Sequence, residues 1–166
     1  MNIILANAKH ILMLSVLAMF YMTMSAQTPR MSFMGVKIGV DSLETLEKVL
    51  AEKGYGEKRY DDINDLNAYY GECQGMESCV YVSTLEGKVS RVFFRVSDSS
   101  WTKLQPVAKA IVRKLKKDYA DFDMKENNKP EDDLNYRVYF ERDYEYVSFF
   151  NIQRDETAYD VTVTYE

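Results

Sequence analysis

The chain has 166 residues, 21 basic and 26 acidic, with a formal net charge of −5 when its single histidine is neutral. That length suits one domain and is short for two. The acidic balance argues against a nucleic-acid binder, whose domain is normally basic.

The first segment reads as an export signal. Lys9 and His10 form a short basic region, Ile11 to Met22 is apolar, and the small residues Thr23, Ser25 and Ala26 follow. This pattern predicts a secretory signal peptide over residues 1–26, with an apolar stretch too short to span a bilayer as a stable helix. Residues 27–166 would then be a single periplasmic or secreted domain with no stable membrane span. No cysteine lies near the cleavage region, which argues against a lipid anchor. Removal of the signal takes away His10, the only histidine, and shifts the charge from −5 to −6 through loss of Lys9. A Ser-His-Asp triad, a Cys-His pair and a His-ligated zinc are then excluded by inventory.

Export also bears on the two cysteines, Cys73 and Cys79. In an oxidising compartment such a pair is expected to form a disulfide. A redox pair would have tighter spacing, and a metal site would want more ligands, so neither metal nor cofactor is expected.

In chain order, Phe33 to Val40 predicts a short strand. Asp41 and Ser42 signal a helix start, and Leu43, Leu46, Val49 and Leu50 follow at helical spacing up to Gly54. From Gly54 to Tyr70 the pattern is irregular. Asp61, Asp62, Asn64, Asp65 and Asn67 crowd together there, but Leu66 stands where an EF-hand loop needs glycine, and a solvated acidic loop is the better account. Tyr69 to Cys73 predicts a short strand, with Gly71 and Gly75 marking a bend or bulge. Cys79 to Thr84 and Val89 to Val96 predict a hairpin turning at Glu86-Gly87-Lys88. In its second arm Val92, Phe94 and Val96 point one way and Arg91, Phe93 and Arg95 the other.

Asp98 to Ser100 lead into a second helix, with Trp101, Leu104, Ala108, Ile111 and Leu115 on one stripe. Pro106 suggests that its regular part starts there and that the tryptophan segment is a separate turn. Asn127 to Asn135 reads as a loop. Three strands follow, at Tyr136 to Glu141, Tyr146 to Ile152 and Ala158 to Tyr165. The order predicts an α+β fold, an antiparallel sheet with two helices packed on one face. Each half reads as a helix followed by a β-meander, which suggests duplication of that unit.

The chain resembles a group of small secreted Bacteroidetes proteins of uncharacterised activity. The likeness lies in Phe33-Met34-Gly35-Val36, Lys53-Gly54-Tyr55, Gly71-Glu72-Cys73, Cys79-Val80-Tyr81-Val82, Gly87-Lys88-Val89, Trp101-Thr102-Lys103-Leu104 and Val161-Thr162-Val163-Thr164-Tyr165. The doubled helix-and-meander order also looks similar to domains of the β-lactamase-inhibitor-protein and PepSY type. The resemblance implies a periplasmic or secreted domain that acts by binding, and it brings no catalytic residue.

Three functions fit this reading. The first is a binding module that recognises a protein or glycan through an aromatic-rich sheet face, since 12 tyrosines lie in residues 27–166 and eleven tyrosines and phenylalanines fall between Tyr119 and Tyr165. Its candidate residues are Tyr81, Arg91, Phe93, Arg95 and Tyr139. The second is a structural or assembly subunit of an envelope complex that offers its last strand as a sheet edge. The third is a hydrolase working through paired carboxylates, for which no pair stands out in Glu72, Glu77, Glu86, Glu141 and Glu145. With no recognisable catalytic motif, the chain is read as a binding protein rather than an enzyme.

Overall fold

The computed structural model describes residues 31–61, 66–131 and 133–166. The signal-peptide reading and the middle of the acidic stretch at Asp62 to Asp65 lie outside the described residues. A small hairpin, β1 (Ser32–Phe33) and β2 (Val36–Lys37), leads into α1 (Leu43–Glu52). Four strands follow: β3 (Glu57–Asp61), β4 (Leu66–Cys73), β5 (Met76–Leu85) and β6 (Lys88–Asp98). Then come α2 (Trp101–Asp118) and four more strands: β7 (Asp123–Glu126), β8 (Arg137–Arg142), β9 (Glu145–Asp155) and β10 (Ala158–Tyr165).

The eight strands β3 to β10 form one antiparallel sheet in the order β3-β4-β5-β6-β10-β9-β8-β7. Each helix is thus followed by a four-stranded meander, and the two meanders join where β6 pairs with β10. Only this repeated order of elements bears on the expected duplication. The fold class is the α+β arrangement expected, with both helices on one side of the sheet. Leu46 and Leu50 of α1 share one core with Leu104, Val107, Ala108, Val112 and Leu115 of α2. Val80, Val82, Val92, Phe94, Val96, Val138, Phe140, Val161 and Val163 meet them from the sheet.

Local chemistry places the boundaries. Ser42 caps α1, its Oγ accepting from the Thr45 N–H at 3.3 Å. The helix ends in a Schellman pair of bonds, from Tyr55 N–H to the Leu50 carbonyl and from Gly54 N–H to the Ala51 carbonyl. The tight turns at Gln74-Gly75 and Glu86-Gly87 have positive φ at both positions. Such primed turns match the twist of the strands they join, and glycine takes the second place without steric cost.

Two short strands escape the sequence reading. β3 is Glu-Lys-Arg-Tyr-Asp and β7 is Asp-Met-Lys-Glu, and they form the two edges of the sheet. An edge strand packs on one side only and is protected by charge, so neither shows the apolar alternation by which strands are found. Pro106 lies inside a continuous α2 that begins at Trp101. Both Pro106 and Thr102, whose carbonyl loses its helical partner there, face solvent, so water can satisfy the orphaned oxygen.

The expected disulfide is not formed; Cys73 and Cys79 are free thiols. Their register explains it. Cys73 pairs with Met76 across the Gln74-Gly75 turn, whereas Cys79 pairs with Tyr70. Cys73 has the parity of Tyr69 and packs on the helix-side core, while Cys79 has the parity of Tyr81 on the opposite face. Alternate residues point to opposite sides of a sheet, so the two sulfurs cannot meet. The last strand is likewise no edge. β10 is held on both sides, by β6 and by β9.

One close approach ties α1's end to the sheet. The Tyr55 ring lies over Gly71, where an added Cβ would come within 2.8 Å of it, and the Tyr55 hydroxyl meets Ser78 Oγ at 2.9 Å. Gly71→Ala should therefore lower stability by about 1–3 kcal/mol in denaturant titration, the usual cost of overpacking.

Two charged contacts fasten the helices. Glu47 accepts from Lys58 Nζ and from the Tyr69 hydroxyl, both at 2.7 Å. Glu126 accepts from Lys116 Nζ at 2.9 Å and from the Tyr136 hydroxyl at 2.7 Å. The lysine hydrogen bond, followed by the tyrosine one, holds each carboxyl below the usual 4.5. A depressed carboxylate contributes stability that is present above its unfolded value and lost as pH falls through the folded one. Stability should thus decline below pH 4.5, and the double variant Glu47→Gln, Glu126→Gln should flatten that decline in melts taken from pH 7 to pH 3.

Candidate binding face

The helices cover one side of the sheet, and among the described residues no helix covers the other. Period-2 alternation assigns that open side to the second set of residues on each strand, and the register aligns them in rows across it. One row runs Arg59, Ala68, Tyr81, Phe93, Thr164, Ser148, Tyr139 and Lys125. The next runs Tyr70, Cys79, Arg95, Thr162, Phe150 and Arg137. A third, towards the Gln74-Gly75 turn, holds Glu72, Glu77, Ser97, Asp160 and Ile152. All five candidates, Tyr81, Arg91, Phe93, Arg95 and Tyr139, fall on this side. Tyr81 and Phe93 sit directly opposite each other, and Arg91 and Arg95 follow two positions either side on β6. Tyr139 lies three strands away from Phe93.

The face has relief. Ala68, Cys79 and Thr162 are each only 2% exposed, although no helix lies above them. Their taller neighbours Tyr70, Tyr81, Phe93, Arg95 and Phe150 remain half-buried and shield them. Small residues form the floor, and rings and guanidinium groups stand over it.

These tall side chains are mutually engaged. Tyr81 and Phe93 meet edge to face at 5.9 Å, and Tyr139 lies against Tyr146 at 5.9 Å. Arg95 donates from Nη2 to the Tyr81 hydroxyl at 2.8 Å, and its guanidinium lies 5.3 Å from that ring's centre. Burial pushes Cys79 up and Tyr81 up to about 12, so both stay protonated near neutrality, with Arg95 opposing each rise. Arg59 lies 5.3 Å from the centre of the Tyr70 ring. Arg91 is paired with Glu166, and Lys125 with Glu141.

Tyr70, Phe150, Arg59 and Arg137 belong to the same face and are absent from the five candidates. Tyr70 and Phe150 lie within the strands expected at Tyr69 to Cys73 and Tyr146 to Ile152, so their parity is legible in the sequence. Arg59 could not be placed while β3 was read as loop. Chemically, the arrangement offers cationic forks, hydroxyls and ring edges on a rigid sheet. The described residues hold no cluster of three or more His, Cys, Asp or Glu suited to a metal ion, and no helix among them is long and apolar enough to cross a membrane.

Comparison with known family models, with curated proteins and with solved structures gives no match to this chain.

The separation of the thiols has a direct readout. In denaturant without reductant, both cysteines should react with a thiol reagent. In the folded protein, Cys79 should stay unlabelled, because it lies beneath Tyr81 and Arg95.

Proposed function

We propose that this chain is an exported binding module, periplasmic or secreted, that recognises a partner through the helix-free face of its sheet. One observation carries the reading. Six aromatic residues, Tyr70, Tyr81, Phe93, Tyr139, Tyr146 and Phe150, share with Arg59, Arg95 and Arg137 a face over which no helix lies among the described residues. Tyrosine, phenylalanine and arginine are the residue types enriched where protein surfaces meet and where binding energy concentrates. A face this rich in rings has a use beyond solubility. Rings held by neighbours on a sheet lose little further freedom on binding, which favours recognition.

The alternative role, an assembly subunit joined through its last strand, loses its main support, because β10 lies inside the sheet. The true edges, β3 and β7, are charged and resist strand pairing.

The test is a pull-down from cell-envelope extract with the purified protein and with the triple variant Tyr81→Ser, Phe93→Ser, Tyr139→Ser. The expected result is loss of the captured partner with folding kept, each half-buried ring removed from its aromatic pair costing about 1 kcal/mol of stability. An unfolded triple variant would make the three rings part of the core and overturn the assignment. So would undiminished capture.

A further inference from the structure

We infer that the partner of this face is a protein whose contact surface carries carboxylates, with Arg95 as the anchor that receives one of them. The inference rests on the binding reading above and names the chemistry of what is bound.

Arg95 has an unusual position among the arginines of this chain. It is half-buried at the middle of the sheet, on β6, and its one hydrogen bond goes to the neutral hydroxyl of Tyr81. Among the described residues no carboxylate lies within ion-pairing distance of it. Arg142, also half-buried, is bound by both Asp121 and Glu145. Arg91, one turn of the pleat away, is bound by Glu166. Of the acids nearest in the sheet, Asp160 accepts from Ser97 Oγ at 2.7 Å and lies 3.7 Å from Arg154, and the exposed Glu77, diagonal to Arg95 on β5, forms no ion pair with it. Stacking on Tyr81 fixes the guanidinium plane, and Nη2 is the only nitrogen given to the hydroxyl. Its remaining N–H donors form a fork suited to a carboxylate approached from outside.

A second cation extends the pattern. Arg137 stands at the end of the same row, separated from Arg95 by Thr162 and Phe150, and it too has no ion-pair partner among the described residues. Three strand spacings separate the two arginines, roughly 14 Å. Between them lie the buried Thr162 and the half-buried ring of Phe150, and that ring would meet an apolar residue of the partner. The protein as a whole has a net charge of −5, so these unneutralised guanidinium groups stand against its general repulsion of acidic partners.

The rings argue for a protein rather than a glycan. Sugars bind aromatic residues by lying on an open ring face. Here the Tyr81 ring carries Arg95, the Tyr70 ring carries Arg59, and Tyr139 lies against Tyr146. What faces outward is a broad hydrogen-bonding sheet, with unpaired guanidinium groups in the row of Arg95 and Arg137 and the acids Glu72, Glu77 and Asp160 in the row beside it.

The test measures binding of the purified protein to immobilised poly-L-glutamate and to alginate, a polyuronate, at 50 and 300 mM NaCl. The expected result is salt-sensitive binding to poly-L-glutamate. Arg95→Gln should weaken it about tenfold or more, and Arg95→Lys nearly as much, because an ammonium lacks the fork. Lys48→Gln, on α1 and away from this face, should change it less than threefold, since Lys48 is paired with Glu44. Arg137→Gln, an exposed change that leaves folding intact, should weaken it severalfold and stands in if the Arg95 variants fail to fold. Absence of binding to poly-L-glutamate, or equal binding by the arginine variants, would overturn the inference. Binding to alginate alone would assign the face to an acidic glycan instead. In the pull-down, a partner lost by the triple-serine variant but kept by Arg95→Gln would leave the face standing and remove the carboxylate. A partner kept by both would remove the face itself.

Discussion

An eight-stranded sheet has two broad faces, and the described residues supply two helices, both on the same side. That constraint shapes the rest of the molecule. On the helix side the strands can use valine and phenylalanine freely, and Val80, Val82, Val92, Val96 and Phe149 are fully buried there. On the other side no second layer exists among the described residues, so the strands must cover their own backbone. They do it with side chains long enough to lie over neighbours. Arginine and tyrosine serve this purpose, because each has an apolar body that shields and a polar tip that tolerates water. The near-complete burial of Thr162 and Cys79 beneath such neighbours shows how effective the cover is. The same side chains are the ones a partner would meet.

Much of this was legible in the residues. Val92, Phe94 and Val96 against Arg91, Phe93 and Arg95 is an alternation that period 2 resolves without ambiguity, and the side each residue takes follows from it. Ser42 and Gly54 bracket α1 by capping chemistry alone. Where the reading stopped, the reason is physical. β3 and β7 are protected edges, and the charges that keep them from pairing with other chains also hide them from pattern analysis. The cysteines were judged by spacing and compartment, yet pairing depends on parity. A two-residue turn after Cys73 places Cys79 on the other side of the sheet, a fact fixed by register and invisible in a count of intervening residues. The position of β10 was lost for a similar reason: the chain's last strand need not be the sheet's last strand. As for the face, its central residues were legible, but Arg59 and Arg137 join it only through long-range pairings.

The charge balance of the chain conceals a local pattern. Acidic residues outnumber basic ones, yet several of the cations are neutralised inside the molecule, as Lys58 is by Glu47 and Lys116 by Glu126 and Glu131. Arg95 is left without such a partner in the middle of the open side, while Glu72, Glu77 and Asp160 gather in the neighbouring row. Net charge therefore describes the solution behaviour of the protein, and the arrangement of its unpaired cations describes its recognition chemistry.

The junction of β6 with β10 carries a consequence for how the molecule is made. Synthesis delivers β3 to β6 well before β10, so the inner edge of β6, with Val92-Phe93-Phe94-Arg95-Val96 along it, waits unpaired until β10 has emerged. No local hairpin can protect that edge in the meantime, because its only native neighbour lies more than sixty residues downstream. Closure of the sheet is then a non-local step of the slow kind, and a chain that lacks β10 would leave this β6 edge open to its neighbours.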